Sequence, residues 1–403
     1  MNNNIRILKN KYTVNGYKDS LFTRNEAENA IRFHRSLPCY NETPLKSLSS
    51  TAEKYGVGAI LVKDESTRFG LNAFKGLGGS YAIFRILCDY FGMDHETSVY
   101  EDFHNTIIRK QCENIVFVTA TDGNHGKGVA WAASLFGCKS HVLMPKGSAE
   151  SRKHAIENAG ASSVLITELN YDKTVALAKK LAEENGWILV QDTSWEGYEE
   201  TPRCIIEGYL TMAQEIIGQM GGRKPTHVFL QAGVGAMAGG ITAYLMDVYK
   251  DDPPIITVAE PSTVACVYLS AEIADDKPHS IDGDPETIMA GLNCGTPCSI
   301  TWPVLRDAVS FYCACEDCIT ERGMRAYALP ENGDPAIVSG ESGAVTYGLL
   351  LEILEDSELR KLWKIDENSA ILLINTEGAT DPVNYEKILG RGMINECKTR
   401  ICT

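Results

Sequence analysis

The sequence predicts an α/β protein whose sheets are mainly parallel. Short apolar runs alternate with helical patterns along most of its 403 residues, and the runs show no alternation of polar and apolar residues. Continuous apolar strands separated by helices are typical of parallel sheets that are buried on both faces. The predicted strands are, in order, 59–63, 115–119, 141–145, 163–166, 187–190, 227–231, 255–259 and 370–374.

Helices are predicted in the segments between these strands. Tyr81 to Phe91 has an amphipathic pattern, and Gly160 follows another helical segment at the position where a glycine commonly ends a helix. The predicted helices are 81–91, 126–136, 149–158, 173–184 and a long one from Pro202 to about Met220.

The overall composition excludes several classes of protein. Apolar residues make up 44% of the chain and charged residues 23%, so substantial cores can form. The formal charge of −15 argues against a nucleic-acid-binding surface, which needs clustered Lys and Arg. No apolar run approaches the ~18–20 residues of a membrane span. The first residues lack the apolar segment of a secretory signal, so we expect a cytoplasmic protein.

The cysteines predict unlinked thiols and no metal site. There are thirteen of them, an odd number, in a chain without a secretory signal. Five are close together in sequence, but only Cys315 and Cys318 have the Cys-x2-Cys spacing, and zinc sites usually pair two such elements. We therefore interpret the cluster of Cys294, Cys298, Cys313, Cys315 and Cys318 as small buried side chains.

Four motifs each follow a predicted strand. Residues 72–76 contain Lys75 and follow the strand at 59–63, and residues 121–126 follow the strand at 115–119. The glycine-rich segment 233–240 and the segment 375–378 follow two further strands. Ligands of parallel α/β sheets bind outside the carboxyl ends of the strands, so the four motifs are expected to form one site.

The chemistry of these motifs indicates pyridoxal phosphate as the cofactor. Lys75 can form a Schiff base, although most lysines beside glycines are only exposed loop charges. The backbone N–H groups of Gly233 to Gly240, at the start of a helix, suit a phosphate. The other two motifs would supply a polar anion-binding loop and a partner for the ring nitrogen.

Two alternatives exist for the glycine-rich segment taken alone. It could allow close packing of a helix on the sheet without any ligand. It could also be a dinucleotide-binding loop, but Ala238 stands where the third glycine of that motif would fall, and no acidic ribose partner is evident.

Other polar residues near these motifs also have purely structural interpretations. Asp122 or Asn124 could cap the helix that begins near residue 126, and His125 could simply be packed. Asp192 could be a turn carboxylate. Glu341, in the first turn of a predicted helix, would complement the helix dipole whatever the function.

The order of these motifs resembles that of the fold-type II pyridoxal-phosphate enzymes. This group contains the threonine and serine dehydratases, cysteine synthase and the tryptophan synthase β-chain. The resemblance rests on segments 74–76, 122–126, 233–240 and 341–344. Dehydratases usually have a small residue where this chain has Asp122. That residue, together with segments 192–198, 231–237 and 375–378, is similar to the diaminopropionate ammonia-lyases, over about residues 12–385.

The resemblance implies an architecture and an activity. It implies two three-layer α/β domains with the cofactor in the cleft between them: a large domain of residues 1–85 plus 191–403 and a smaller inserted domain of residues 86–190. It implies conversion of 2,3-diaminopropionate to pyruvate and two ammonia, typically by a homodimer. No nucleic acid or membrane is expected as a partner.

The resemblance also assigns roles to residues. Lys75 would bind the cofactor covalently and, when released into a desolvated pocket that lowers its pKa, would remove the Cα proton of the L-substrate. Asp122 would do so for the D-substrate. Substrate binding is assigned to Asp192, Thr121 and His125. Cofactor binding is assigned to Lys75, Phe74, Asn124, Gly233, Val234, Gly235, Ala236, Met237, Glu341, Asn375 and Thr376.

Several alternatives remain open at this point. Asn375 or Thr376 would face the pyridine nitrogen, and either neutral partner favours elimination by leaving that nitrogen largely unprotonated. A serine or threonine dehydratase is the main alternative activity, and a β-replacement enzyme is a further one. A pyridoxal-phosphate-binding protein without turnover and a nicotinamide oxidoreductase are the alternatives from other classes.

Overall fold

Two separate sheets organise the chain in the computed structural model, which describes residues 4–12, 21–121, 123–283, 285–331 and 333–390. In these residues the larger sheet has seven strands and the smaller has four. The predicted α/β fold with mainly parallel sheets is confirmed.

The larger sheet is parallel except at its two edges. Its order is β1 (Ile5–Lys9), β10 (Phe311–Cys315), β9 (Ile255–Pro261), β8 (His227–Gln231), β11 (Ala370–Asn375), β3 (Ala59–Asp64) and β2 (Leu45–Ser47). The five inner strands run parallel, whereas β1 and β2 pair antiparallel with their neighbours.

The smaller sheet is wholly parallel. Its order is β6 (Ser163–Ile166), β5 (Lys139–Met144), β4 (Val116–Ala120) and β7 (Ile188–Leu189). These strands lie inside the predicted inserted segment 86–190, whereas the predicted limit at residue 85 falls inside a helix. The exact domain limits stay a prediction.

Helices connect the strands and cover the sheets. They are α1 (Arg24–Ser36), α2 (Ser49–Tyr55), α3 (Lys75–Phe91), α4 (Thr106–Cys112), α5 (Asn124–Phe136), α6 (Glu150–Asn158), α7 (Tyr171–Asn185), α8 (Glu200–Gln219), α9 (Ala236–Val248), α10 (Cys266–Ile273), α11 (Trp302–Ala308), α12 (Asp317–Ala328), α13 (Glu341–Glu355), α14 (Ser357–Trp363) and α15 (Pro382–Ile388). Short 3-10 helices span Glu65–Gly70, Tyr100–His104 and Ala290–Leu292. No helix in the described segments is long and apolar enough to cross a membrane.

Helix α3 begins at Lys75, six residues before the predicted start at Tyr81. Glycine is unfavourable inside helices, so the sequence Lys-Gly-Leu-Gly-Gly looks like a loop. In the structure these glycines are buried packing contacts. A Cβ atom at Gly78 would lie 2.5 Å from the Tyr209 ring, and one at Gly79 would lie 3.0 Å from the Gly128 carbonyl carbon. Tertiary packing therefore overrides the local preference.

Helices α3, α5 and α8 meet closely at these glycines. On α8, a Cβ atom at Gly208 would lie 2.5 Å from the carbonyl oxygen of Leu77. Because α5 follows a strand of the smaller sheet and α3 follows a strand of the larger one, the contact joins the two parts of the fold. It also fixes the first turn of α3, and with it Lys75.

A buried cluster of charged side chains anchors the segment that leads to Lys75. Arg68 pairs with Glu65 and with Glu215 of α8, each at 2.7 Å, and Lys63 pairs with Glu215 at 2.6 Å. All four side chains are fully buried. Buried charges are tolerated only when they are paired and hydrogen-bonded, so this cluster strongly constrains the 3-10 helix Glu65–Gly70 against α8.

The glycine contact between α3 and α8 can be tested with two alanine substitutions on the same helix. Gly208→Ala is expected to lower the free energy of unfolding by about 1–3 kcal/mol, because the added methyl group collides with the backbone of α3. Gly218→Ala is the control, since nothing lies within 4 Å of its Cβ position; it should be neutral or stabilise the protein by up to about 1 kcal/mol. Urea denaturation of both variants measures the difference, and equal effects would contradict the packing account.

Candidate active site

A cleft lies at the carboxyl ends of the strands of both sheets. Its volume is about 780 Å³, including space that is open to solvent. Its walls come from the first turns of α3, α5, α9 and α13 and from the segments that follow β7 and β11. The lining residues are Phe74, Lys75, Thr121, Asn124, His125, Tyr171, Asp192, Gln231, Ala232, Gly233, Val234, Gly235, Ala236, Met237, Ala238, Gly291, Leu292, Cys294, Ser342, Thr376 and Glu377.

The cleft brings together most of the site residues predicted from the sequence. Residues from all four motifs line it, as does Asp192. Two predicted cofactor-binding residues, Glu341 and Asn375, are not among the lining residues. Asp122, the predicted second base, lies outside the described residues.

The amine of Lys75 is held by a carboxylate inside the cleft. Lys75 Nζ lies 2.6 Å from Asp192 Oδ2. Both side chains are largely buried, with 19% and 14% of their surfaces exposed. The amine also lies 5.4 Å and 5.8 Å from the ring centres of Phe74 and Tyr209. The ion pair joins the segment after β7 of the smaller sheet to the helix after β3 of the larger one.

This ion pair reverses the pKa shift expected from burial. Burial alone lowers the pKa of Lys75, but the charge of Asp192 outweighs it, and the pKa is raised above its usual value. Burial raises the pKa of Asp192, but His125 and Lys75 outweigh it and bring it to about 2. The expected lowering of the Lys75 pKa concerns the amine after a substrate has released it, and it stays a prediction. In the cofactor-free cleft, Lys75 is an ammonium and Asp192 a carboxylate at neutral pH.

His125 is buried beside this pair. Its Nε2 lies 2.8 Å from the carbonyl oxygen of Val190, and its Nδ1 lies 3.7 Å from Asp192 Oδ2. Burial lowers the pKa of His125 below its usual value. Because the Nε2 contact is with a carbonyl, Nε2 carries a ring proton, and Nδ1 faces the carboxylate of Asp192.

The segment Gly233 to Ala238 forms an anion-binding cradle. It joins β8 to α9, and Gly235 has a φ of +85°, a conformation that favours glycine. In the described part of the chain, the backbone N–H groups of these six residues donate to no protein acceptor. At a helix N-terminus, such a row of amides is suited to a phosphate.

Thr376 and Asn375 point to different places. Thr376 lines the cleft, and its Oγ1 accepts a hydrogen bond from Gln231 Nε2 at 2.9 Å. The side-chain amide of Asn375 instead donates to Asp64 at 2.9 Å and to the carbonyl oxygen of Val338 at 3.1 Å. Of the two residues predicted at a ring nitrogen, Thr376 is therefore the one whose side chain has access to the cleft.

Glu341 lines a second cavity that adjoins the cleft. Its carboxyl accepts a hydrogen bond from Asn384, and burial raises its pKa. Glu377 lies at the junction of the two spaces, where Asn124 donates to it at 2.6 Å and the backbone N–H of Ser342 at 3.1 Å. Lys127 lines the second cavity, and burial lowers its pKa.

Several residues of the cleft were not singled out from the sequence. Gln231 and Ser342 stand within motifs that were recognised, so their positions could have been examined. Tyr171 comes from a segment without any recognisable pattern, and Cys294 was recognised only as a member of the cysteine cluster. Both also line a wide space that lies next to the cleft, between segments 168–173 and 281–296.

The clustered cysteines are mostly buried thiols. Cys298, Cys313 and Cys315 are buried as predicted, whereas the prediction is wrong for Cys294, which is only partly buried, and for Cys318, which is exposed. Within the described residues, no group of three or more His, Cys, Asp or Glu side chains is arranged to hold a metal ion.

Comparison with known proteins agrees with this geometry. The family described as "Pyridoxal-phosphate dependent enzyme" matches residues 37–377. The chain is 45% identical to a diaminopropionate ammonia-lyase of Salmonella typhimurium over 380 residues, which cover 93% of this chain and 94% of the relative. The chain belongs to the diaminopropionate ammonia-lyase family of pyridoxal-phosphate-dependent enzymes.

Solved structures of this family have the same fold. The Escherichia coli diaminopropionate ammonia-lyase in complex with D-serine matches with a TM-score of 0.90, 43% identity and coverage of 96% of this chain and 97% of that one. The same enzyme in complex with an aminoacrylate-PLP azomethine reaction intermediate matches with a TM-score of 0.88, at the same identity and coverage.

The residues of the cleft fit pyridoxal phosphate. The unpaired amides of the cradle suit its phosphate, the amine of Lys75 suits its aldehyde carbon, and Thr376 offers a neutral hydroxyl to its ring. These features favour a phosphate over a dinucleotide as the ligand of the glycine-rich segment.

Replacing Asp192 should change how readily Lys75 reacts with the cofactor. Covalent attachment needs a neutral amine, and Asp192 keeps Lys75 charged. Asp192→Asn removes the charge that raises the pKa of Lys75 most, so burial lowers that pKa more effectively, attachment at neutral pH should accelerate and its pH profile should shift to lower pH. The absorbance of cofactor-free protein mixed with pyridoxal phosphate, followed from pH 6 to 10, measures this. The exposed Asp172→Asn is the charge-matched control, and an unshifted profile in Asp192→Asn would contradict the account.

Proposed function

We propose that this protein catalyses the β-elimination of 2,3-diaminopropionate to pyruvate and two ammonia, with pyridoxal phosphate as its cofactor. The observation that carries the proposal is the buried Lys75–Asp192 pair, 2.6 Å apart, in a cleft that also contains a phosphate cradle. The reaction balances with one water, because the released three-carbon enamine is hydrolysed to pyruvate and the second ammonia.

Three parts of the chain would hold the cofactor. The backbone amides of Gly233 to Ala238 bind the phosphate, Lys75 binds the aldehyde carbon, and Thr376 contacts the pyridine nitrogen. When bound, the cofactor withdraws electrons from Cα of the amino acid as its proton leaves. The neutral hydroxyl of Thr376 is suited to an unprotonated ring nitrogen.

Asp192 distinguishes the substrate from a hydroxy amino acid. Its pKa of about 2 keeps it charged at physiological pH. A charged carboxylate in a largely buried cleft attracts the β-ammonium of diaminopropionate, whereas the hydroxyl of serine brings no charge to pair with it.

Lys75 and Asp122 are the proposed bases. Lys75 removes the Cα proton of the L-substrate once its amine is released from the cofactor. Asp122 removes the proton from the D-substrate. The support for Asp122 is its place in the chain, between Thr121 and the first turn of α5, where Thr121, Asn124 and His125 line the cleft. The resemblance of the motifs also supports a homodimer and a cytoplasmic location.

The proposed function is tested by product analysis on purified, cofactor-loaded protein. Pyruvate and ammonia should form from 2,3-diaminopropionate in a ratio of one to two, with little keto acid from L-serine or L-threonine. Equal or faster turnover of the hydroxy amino acids, which release one ammonia for each keto acid, would instead indicate a dehydratase.

The two isomers of diaminopropionate, assayed separately, test Asp122. Asp122→Asn should reduce the turnover of the D-isomer at least tenfold more than that of the L-isomer, since loss of a general base typically costs about 10²–10⁴-fold in rate. Equal losses on both isomers would contradict a base that serves one isomer.

A further inference from the structure

The side-chain amide of Gln231 contacts three oxygen atoms beneath the cleft. Gln231 is the last residue of β8 and is 2% exposed. Its Nε2 lies 3.0 Å from the carbonyl oxygen of Ile374, 3.2 Å from that of Ser342 and 2.9 Å from Oγ1 of Thr376. Its Oε1 is buried and has no partner in the described part of the chain.

These contacts fix the orientation of the amide. Carbonyl oxygens only accept hydrogen bonds, so the atom that faces Ile374 and Ser342 must be the NH2 group. The opposite orientation would place the amide oxygen against two other oxygens with no proton between them. Although Oε1 is left unpaired, the NH2 assignment is the one that the surrounding atoms permit.

The orientation of Gln231 determines what the hydroxyl of Thr376 can do. The NH2 group has two protons for three oxygens, and its contact with Thr376 Oγ1 is the shortest of the three, so Oγ1 accepts a proton there and uses one of its lone pairs. No acceptor for the Thr376 hydroxyl proton occurs among the described residues. Thr376 lines the cleft, so this proton is available to a ligand in the cleft.

We infer that Gln231 is a positioning residue that orients the hydroxyl of Thr376 as a hydrogen-bond donor towards the cofactor ring. An unprotonated ring nitrogen accepts a hydrogen bond, whereas a protonated one must donate. A hydroxyl whose oxygen already accepts from Gln231 is matched to the first form. The nearest carboxylate in sequence, that of Glu377, accepts from Asn124 and from the backbone of Ser342 instead.

The inference rests on the proposed position of Thr376 at the ring, and it extends that proposal to the polarity of the contact. Hydrogen bonds to the ring nitrogen tune how strongly the cofactor withdraws electrons. An unprotonated nitrogen withdraws them less strongly, which suits a reaction in which the leaving group departs soon after the Cα proton.

A cofactor analogue without the aldehyde separates this contact from the reaction with Lys75. The probe is 4′-deoxypyridoxine 5′-phosphate, whose binding to cofactor-free protein is measured by titration calorimetry. Gln231→Met and Thr376→Val should each weaken binding about five- to tenfold, the usual effect of losing one hydrogen bond. The double variant should bind no more weakly than Thr376→Val alone, because Gln231 acts through that hydroxyl.

Control variants separate the contact from packing. Thr376→Ser keeps the hydroxyl and should bind the probe within about twofold of the unmodified protein. Gln214→Met makes the same side-chain change on α8, outside the cleft, and should leave binding unchanged. Gln231→Glu is the second variant should Gln231→Met not fold. The neutral carboxyl of the new glutamate has one proton, which the carbonyl oxygens of Ser342 and Ile374 compete for. Thr376 then no longer receives a hydrogen bond, and the same five- to tenfold weaker binding of the probe is expected.

A second readout uses the analogue labelled with ¹⁵N in its ring. The chemical shift in the unmodified protein should be that of an unprotonated pyridine. A protonated ring there would overturn the inference, as would a Gln231→Met effect that persists undiminished in the Thr376→Val background. If Thr376→Val alone leaves binding unchanged, the proposed place of Thr376 at the ring is wrong and the inference fails with it. The lyase activity is measured separately and is not decided by these results.

Discussion

The ion pair between Lys75 and Asp192 connects the two halves of the fold within the candidate active site. The lysine begins the helix after β3 of the larger sheet, and the carboxylate follows β7 of the smaller one. Two largely buried charges that lie 2.6 Å apart stabilise each other, and removing either leaves the other poorly solvated. The same pair keeps the amine charged until the cofactor arrives, so it links the assembly of the cleft to the reactivity of the lysine.

Chemical roles are divided between the two ends of the cleft. The amino acid would react beside the charged and titratable groups, which are Lys75, Asp192 and His125. Neutral groups lie where the ring nitrogen would be, because Thr376 receives its hydrogen bond from an amide. A strong counter-charge for a β-ammonium and a weak electron sink at the ring both favour elimination. The close packing of α3, α5 and α8 holds the first turns of α3 and α5, which line the cleft, in fixed positions relative to each other.

Much of the fold could be predicted because inner strands such as β8 and β11 are continuous apolar runs. The edge strands β1 and β2 and the inner strand β10 were missed; β2 has only three residues and little apolar character. The early start of α3 could not be predicted from local preference, since the contacts that allow Gly78 and Gly79 inside a helix come from distant residues. The position of the site could be predicted from the motifs at the ends of the strands. The choice between Asn375 and Thr376 could not, because it depends on the direction of their side chains. Tyr171 and Cys294 reach the cleft only through the tertiary structure.

The attachment site of the cofactor is the most direct test of this account. Lys127 in the adjoining cavity is the competing amine, since burial lowers its pKa whereas Asp192 raises that of Lys75. Reduction of the cofactor-loaded protein with borohydride, followed by peptide mass spectrometry, identifies the modified lysine. The account predicts the phosphopyridoxyl group on Lys75, because the phosphate cradle lies in the same cleft. Modification of Lys127, or of any lysine outside the cleft, would contradict it.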